Sequence, residues 1–270
     1  MFEIHLAKPT AKLDSASIFP SVTVHAETGA KVTLLEHFNS HGETPVLVCA
    51  ATSLEAEEGA SIAHAIAQDL SRTAKVVQIN HAVTGKDSEI RSLALHAGGE
   101  WIRQETEGHV IGSGANCNLL AVNLLFDDQY VDHRTLQRHS SPDACSDLLY
   151  KNALFDRSRS VFAGLIVVDE KAHHTDAFQT CRNLLMSDKV EANSMPGLEI
   201  NADQVKCSHG ATSGQIDDEE IFYLLSRGIP APAAKRLMIQ GFAEDVIHRL
   251  ADSGLEDALV NLILRELKRT

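Results

Sequence analysis

From about residue 20 to residue 216 the chain keeps starting short runs of Val, Ile, Leu and Ala and stopping them with Gly, Asn, Asp or Ser. The runs "KVTLLEHF", "PVLVCAA", "KVVQINHAV", "EIRSLALHAG", "NLLAVNLLF", "SVFAGLIVV" and "GLEINAD" are of strand length. They recur roughly every ten to twelve residues, which predicts an all-β solenoid, sandwich or barrel. Alternation places Val77, Ile79 and His81 on one face of a strand and Val76, Gln78 and Asn80 on the other. Periodicity does not separate a stacked β-helix from a sandwich, since both consist of short strands with polar turns. No strict repeat of fixed period stands out.

Beyond Gln215 the period changes. Asp217, with Glu220 three residues later, has the spacing of a helix cap, and Ile221, Leu224 and Leu225 follow at helical spacing before Gly228. Pro230 and Pro232 open a second helix with an apolar stripe of Ala234, Leu237, Met238, Phe242, Val246 and Leu250, ending near Gly254. A third helix is expected from Leu255 to about Lys268, with Ala258, Leu259 and Leu262 inward. The expected organisation is a β body over 1–216 and a helical subdomain over 217–270 that packs on it.

Composition narrows the choice of partners. The 270 residues are 44% hydrophobic and 23% charged, as in a folded soluble chain rather than a disordered one. A net charge of -13 repels nucleic-acid backbones and anionic lipid, so neither is expected as a partner. The first twenty residues hold no apolar block of signal-peptide length, and the longest apolar run, Val46 to Ala51, is far too short to span a bilayer. A cytoplasmic protein is expected. Five cysteines, an odd number without a C-x-x-C pair, argue against a disulfide framework and against a zinc ribbon.

Candidate chemistry concentrates in "VKCSHGATSG". Cys207 and His209 stand at i and i+2, so in an extended segment both side chains point the same way and can address one metal or sulfur species. Cys49, Cys117 and Cys145 lie in apolar or small-residue contexts and read as structural. His173 and His174 read as turn residues. Asp132, His133 and Ser140 or Ser141 have the residue types of a hydrolase triad but lack a nucleophile elbow. "GHVIGSGANCN" has Cys117 where a dinucleotide loop needs its third glycine, and "HAVTGKDSE" lacks the upstream glycine of a phosphate loop, so no nucleotide is expected on this chain.

Residues 120 to 245 resemble the core domain of the SufB/SufD family, components of the SUF machinery that builds iron–sulfur clusters. The strings that carry it are "YVDHRTLQRHSSPDACSDLLYKNALFDRSRSVFAGLIVV" and "QTCRNLLMSDKVEANSMPGLEINADQVKCSHGATSGQIDDEEIFYLLSRGI". "VKCSHGAT" and "FYLLSRGI" are similar to the SufD branch, whereas SufB chains typically carry "HEAT" where this chain has "HGAT". Weaker likeness reaches back to "HAETGAKVTLLEHF". The pattern begins within about twenty residues of Met1, so the helical region that usually precedes it is expected to be lacking. Cys181 in "QTCRNLLMS" falls where SufB-type chains place a cysteine, and its other reading is a small strand residue filling an interior rung.

The resemblance implies a right-handed parallel β-helix with a C-terminal helical subdomain that docks an ABC-type ATPase, SufC. It also implies pairing of the β-helix with a SufB-like protein or with a second copy. Cys207 and His209 become candidate ligands, with Cys181 as a third contributor, for a transient iron–sulfur cluster. Such clusters generally want about four protein ligands, so the site is expected at a dimer interface. The chain is then a scaffold component and not an enzyme. Two alternatives are a carbohydrate-active β-helix enzyme, for which the acidic charge and single Trp are poor equipment, and a purely structural partner that positions the ATPase.

Overall fold

A computed structural model describes residues 2–5, 15–40, 42 and 45–269. The β-strands alternate between two sheets as the chain advances, giving a parallel solenoid of about seven turns. The first sheet contains β1 (Phe2–His5), β4 (Lys31–Asn39), β6 (Ser61–Asp69), β8 (Glu89–His96), β10 (Asn116–Leu125), β12 (Cys145–Leu154), β14 (Asp176–Leu185) and β16 (Lys206–Gly214). The second contains β2 (Ala16–Ile18), β3 (Ser21–Ala26), β5 (Val46–Ala56), β7 (Lys75–Thr84), β9 (Trp101–Val110), β11 (Tyr130–His139), β13 (Arg159–Val168) and β15 (Glu191–Ile200). Every pairing among the described residues is parallel.

One corner of the coil sets the repeat. Gly29, Gly59, Asp87, Gly114, Asp143, His174 and Gln204 all have positive φ, each 27 to 31 residues from the next. The corner needs the left-handed region that glycine enters freely and Asp or His tolerates in turns. Successive corners stack through backbone hydrogen bonds, such as Gly29 N to Glu58 O and Gly59 N to Lys86 O, both 2.9 Å. The period is real but carried by conformation rather than by one residue type, so no fixed letter marks it in the sequence.

The two sheets differ in what covers them, and the sequence pattern follows. β10, with Leu119, Leu120, Ala121, Val122, Leu124 and Leu125 all buried, is apolar on both faces from Leu119 onward apart from Asn123, because it faces the lumen on one side and helices on the other. Strands of the second sheet alternate, as β7 and β13 do. In β7 the alternation runs against the usual polarity. Val76, Gln78 and Asn80 point inward and are buried, while Ile79 on the outer face is 50% exposed. Inside, Gln78 donates to Thr52 of the neighbouring rung and to Asn80 of its own strand, so the lumen holds polar as well as apolar side chains.

Three helices follow: α1 (Asp218–Ser226), α2 (Ala231–Ile247), continued by a 3-10 turn at His248–Leu250, and α3 (Ser253–Glu266). Asp217 caps α1 by accepting from the backbone N–H of Glu219, and Asp252 caps α3 by accepting from that of Leu255. The stripe of α2 differs from the expected one. Ala234 and Val246 are buried as expected, but Leu237 is exposed and Ile239, Ala243 and Ile247 take the inward positions. Ten side chains from Ile239 to Leu267 join Leu93, Leu95, Leu120, Val122, Leu124 and Leu149 of the first sheet in one apolar cluster. Each large one contributes roughly 1.5–3 kcal/mol on burial, so burial rather than ion pairing, worth about 0–1 kcal/mol per surface pair, holds the helices down.

Polar links fix their position. The Lys151 ammonium of β12 is buried, donates to Asp245 at 2.6 Å and to the Phe242 carbonyl at 2.9 Å, and lies 4.6 Å from the centre of the Phe242 ring. Arg249 pairs with Asp147, Arg265 with Asp69, and Thr33 donates to Asp252. Asp245 is thus turned to the body by Lys151. No helix among the described residues is long and apolar enough to cross a membrane.

Candidate functional site

The last strand of each sheet, β15 and β16, has a partner on one side only, and most of its side chains are exposed. Cys207 and His209 lie on β16. Their register partners on β14 are Ala177 and Gln179, both buried and lumen-facing, so the Cys207–His209 row continues that inward face at the end of the coil. Cys207 is half-buried against the cluster of Ile166, Val168, Ala172 and Ala177. Burial pushes its thiol pKa up, assisted by the Asp176 carboxylate and opposed by a backbone hydrogen bond at Ala177. His209 is exposed.

Cys181 occupies the same inward row one rung deeper, opposite Ala211 and two residues further along than Gln179. Strand spacing puts its Cα roughly 8 Å from that of His209. It is fully buried, with Sγ 3.7 Å from Ser194 Oγ and 3.8 Å from Asn152 Nδ2. Burial raises its pKa to about 11 despite hydrogen bonds from Ser194 and Asn152 that favour the thiolate, while Sγ itself faces the Asn183 Oδ1 acceptor. The three candidates share one row, but only Cys207 and His209 reach the open end. Among the described residues no three His, Cys, Asp or Glu side chains gather into a metal-holding group. One chain therefore presents a thiol and an imidazole, both donor types that suit iron–sulfur chemistry, at an edge with room for a second molecule.

The remaining cysteines and the triad-like residues part company. Cys117 is buried, its pKa raised to about 12 by burial; Cys49 is half-buried and Cys145 exposed. Asp132 is held by Arg103 and Arg134, whereas His133 faces the lumen 2.9 Å from Asn123. Ser140 instead sits between His109 at 2.9 Å and Asp169 at 2.6 Å. The carboxylate bonds the serine and not the imidazole, which is the wrong order for a base-orienting triad. His174 occupies a positive-φ corner and His173 bonds the Asp203 carbonyl, as turn residues do.

A second feature escapes sequence reasoning. Gln68, His96, Asn123, Asn152, Asn183 and Ser213 are register partners on six successive rungs. Asn123 donates to Asn152 at 2.6 Å, Asn152 to Asn183 at 2.7 Å and Asn183 to Ser213 at 3.1 Å. This polar ladder runs inside the coil and ends beside Cys181 and the β16 edge. The 27-to-31-residue spacing of the corners would have exposed it, had the period been visible.

A family model described as the SUF system FeS cluster assembly SufBD core domain matches residues 9–242. The chain is 33% identical over 239 residues to the iron–sulfur cluster assembly protein SufD of Escherichia coli, covering 88% of this chain and 56% of that protein. It is 35% identical over 199 residues to an iron–sulfur cluster assembly SufBD family protein of Mycobacterium leprae, covering 71% and 51% respectively. Against SufD of Bacillus subtilis it is 28% identical over 258 residues, 94% of this chain and 59% of that one. The chain spans about half the length of the curated relatives it matches.

Proposed function

This chain belongs to the SufBD core family of the SUF iron–sulfur cluster assembly system, and from that premise we propose that it is a SufD-like scaffold that pairs through the open end of its β-helix. The observation that carries the reading is the unpaired β15–β16 edge bearing Cys207 and His209. A long exposed edge strand invites pairing with another chain, and β16 lacks the internal Pro or mid-strand Lys that would blunt it. An isologous contact would double whatever ligands one edge offers. The cluster is cargo on this scaffold, held in passing by Cys207 and His209 from one side, with protonated Cys181 behind them as a reserve donor. The partner edge belongs to a SufB-like protein or to a second copy.

The helices supply the other interaction. Phe222, Tyr223, Leu225 and Leu237 are exposed large apolar side chains on α1 and α2. A hollow of about 420 Å3 beside them is lined by Asp217, Glu219, Glu220, Tyr223, Leu224 and Met238. A partly aromatic surface rimmed by acids suits a protein partner, which we take to be a SufC-like ABC ATPase. This chain contributes no nucleotide site of its own, and its part is structural rather than catalytic.

Anaerobic reconstitution with ferrous iron and sulfide, alone and with a SufB-type partner, tests the ligand role. Cys207→Ser combined with His209→Ala is expected to leave dimer mass and the far-ultraviolet spectrum unchanged while lowering retained iron and sulfide several-fold. Full retention by the double variant overturns the ligand assignment and leaves a purely structural partner. A monomer at tens of micromolar in both settings overturns the interface.

A further inference from the structure

Several strands of the second sheet turn apolar side chains outward, where a sheet with one wet face usually turns polar ones. One outward row across five strands is Ile79, Glu105, Arg134, Ala163 and Met195; the next includes His81, Glu107, Leu136 and Leu165. Ile79 is 50% exposed and Met195 57%. Ala163, the smallest member of its row, lies in a shallow hollow of about 510 Å3 lined also by Leu136, Leu165 and Met195. The charges beside the hollow mostly satisfy one another. Arg103 bonds Asp132 and Glu105, and Arg134 bonds Asp132, so two guanidiniums and two carboxylates balance. Glu107, which also lines the hollow, forms no hydrogen bond or ion pair among the described residues. His109, within its electrostatic reach, is kept below its ordinary pKa by burial and by Arg138, so it brings no counter-charge at pH 7.

We propose that this outer face seats a basic amphipathic helix supplied by another protein. The first sheet shows the fit within the same molecule: its apolar outer side chains are covered by α2 and α3, and its buried Lys151 is met by Asp245 of α2. On the second sheet the sign is reversed, and Glu107 requires a Lys or Arg on the flank of the incoming helix. From Ile79 to Met195 there are four inter-strand steps of about 4.8 Å, or about 19 Å, which a helix of about 13 residues covers. Apolar residues on one face of that helix fill the hollow and cover Ile79, Leu165 and Met195. A second copy of this chain does not supply it, because α1, its exposed apolar helix, opens with Asp218, Glu219 and Glu220, which Glu107 repels. The seat lies along the flank of the coil and does not depend on the cluster-holding end.

A synthetic peptide of about 16 residues, with Leu along one face and Lys on its flanks, tests the seat by fluorescence anisotropy against the full chain. A chain of net charge -13 attracts any polycation, so three variants distinguish the seat from general attraction. Ala163→Phe fills the hollow without changing charge and is expected to weaken binding about tenfold or more. Glu107→Gln is expected to weaken it several-fold, whereas Asp257→Asn, an equal loss of charge at an exposed position of α3, leaves it unchanged. None of the three side chains is buried, so far-ultraviolet spectra and thermal midpoints stay as in the unmodified chain. Binding that survives Ala163→Phe, or that falls equally with Glu107→Gln and Asp257→Asn, means attraction without a seat and overturns the proposal. So does equal binding of a peptide with Glu in place of Lys, or no saturable binding of the Lys peptide at about 1 mM.

Discussion

His96, His133 and His139 have their rings inside the coil, and each is held neutral by burial. His96 gives its Nε2 to Gln104 at 2.6 Å and His139 to Ser146 at 2.8 Å, but these contacts do not offset the desolvation, and both rings titrate near pH 4 in the fold. An unfolded chain takes up those protons near pH 6.5. Their neutral burial is therefore harmless above that pH and destabilising as pH falls from 6.5 towards 4, by about 2 kcal/mol per ring at pH 5. Urea unfolding at pH 7 and pH 5 should show the loss, and His96→Gln should flatten part of it. Thiol reactivity follows the same logic of burial. At pH 8 a small alkylating agent is expected to modify exposed Cys145 first and half-buried Cys49 and Cys207 next, leaving Cys117 and Cys181 untouched until denaturant is added. Mass mapping of the labelled peptides gives the order. The i, i+2 relation of Cys207 and His209 was readable because strand geometry alone decides it. The partners that enclose Cys181 were not, because Asn152 and Ser194 arrive from neighbouring rungs.

At the scale of the element, Lys151 is the most informative side chain. Its ammonium is lost to bulk water and pairs with a carboxylate that is itself partly exposed, so the two ends of the contact are unequal. Burial lowers its pKa, and Asp245 works against that shift. Asp245→Ala is expected to cost about 1–2 kcal/mol, since a buried cation keeps only the Phe242 carbonyl and ring. Lys151→Met, which removes the charge and keeps the stem, should cost less. Chemical denaturation of both variants would check the order. Strand positions were largely legible because strands in the second sheet alternate and those under the helices, such as β10, carry buried apolar side chains on both faces. The rotation of α2 was not, because Leu237 is as good a stripe member as Ile239 until Lys151 and Asp245 fix which side turns inward. Polar lumen residues such as Gln78 and Asn123 also defeat a reading that puts polar groups outside.

For the molecule as a whole, the helices and the coil share one apolar cluster, so the helical segment is expected to melt with the β body and not before it. Circular dichroism at helix-sensitive and strand-sensitive wavelengths should give a single midpoint; an early helical transition would contradict the shared core. The stacked positive-φ corner carries a different consequence. Strand register, lumen polarity and corner conformation all recur once per circuit of 27 to 31 residues, so a one-residue insertion or deletion inside a strand would turn the later side chains of that strand to the wrong face. Removal or duplication of an entire circuit, such as the one between Asp87 and Gly114, would leave every later residue facing as it did. Descendants of such a chain can change their reach only in whole steps, and the quantum of that change is one circuit of the coil.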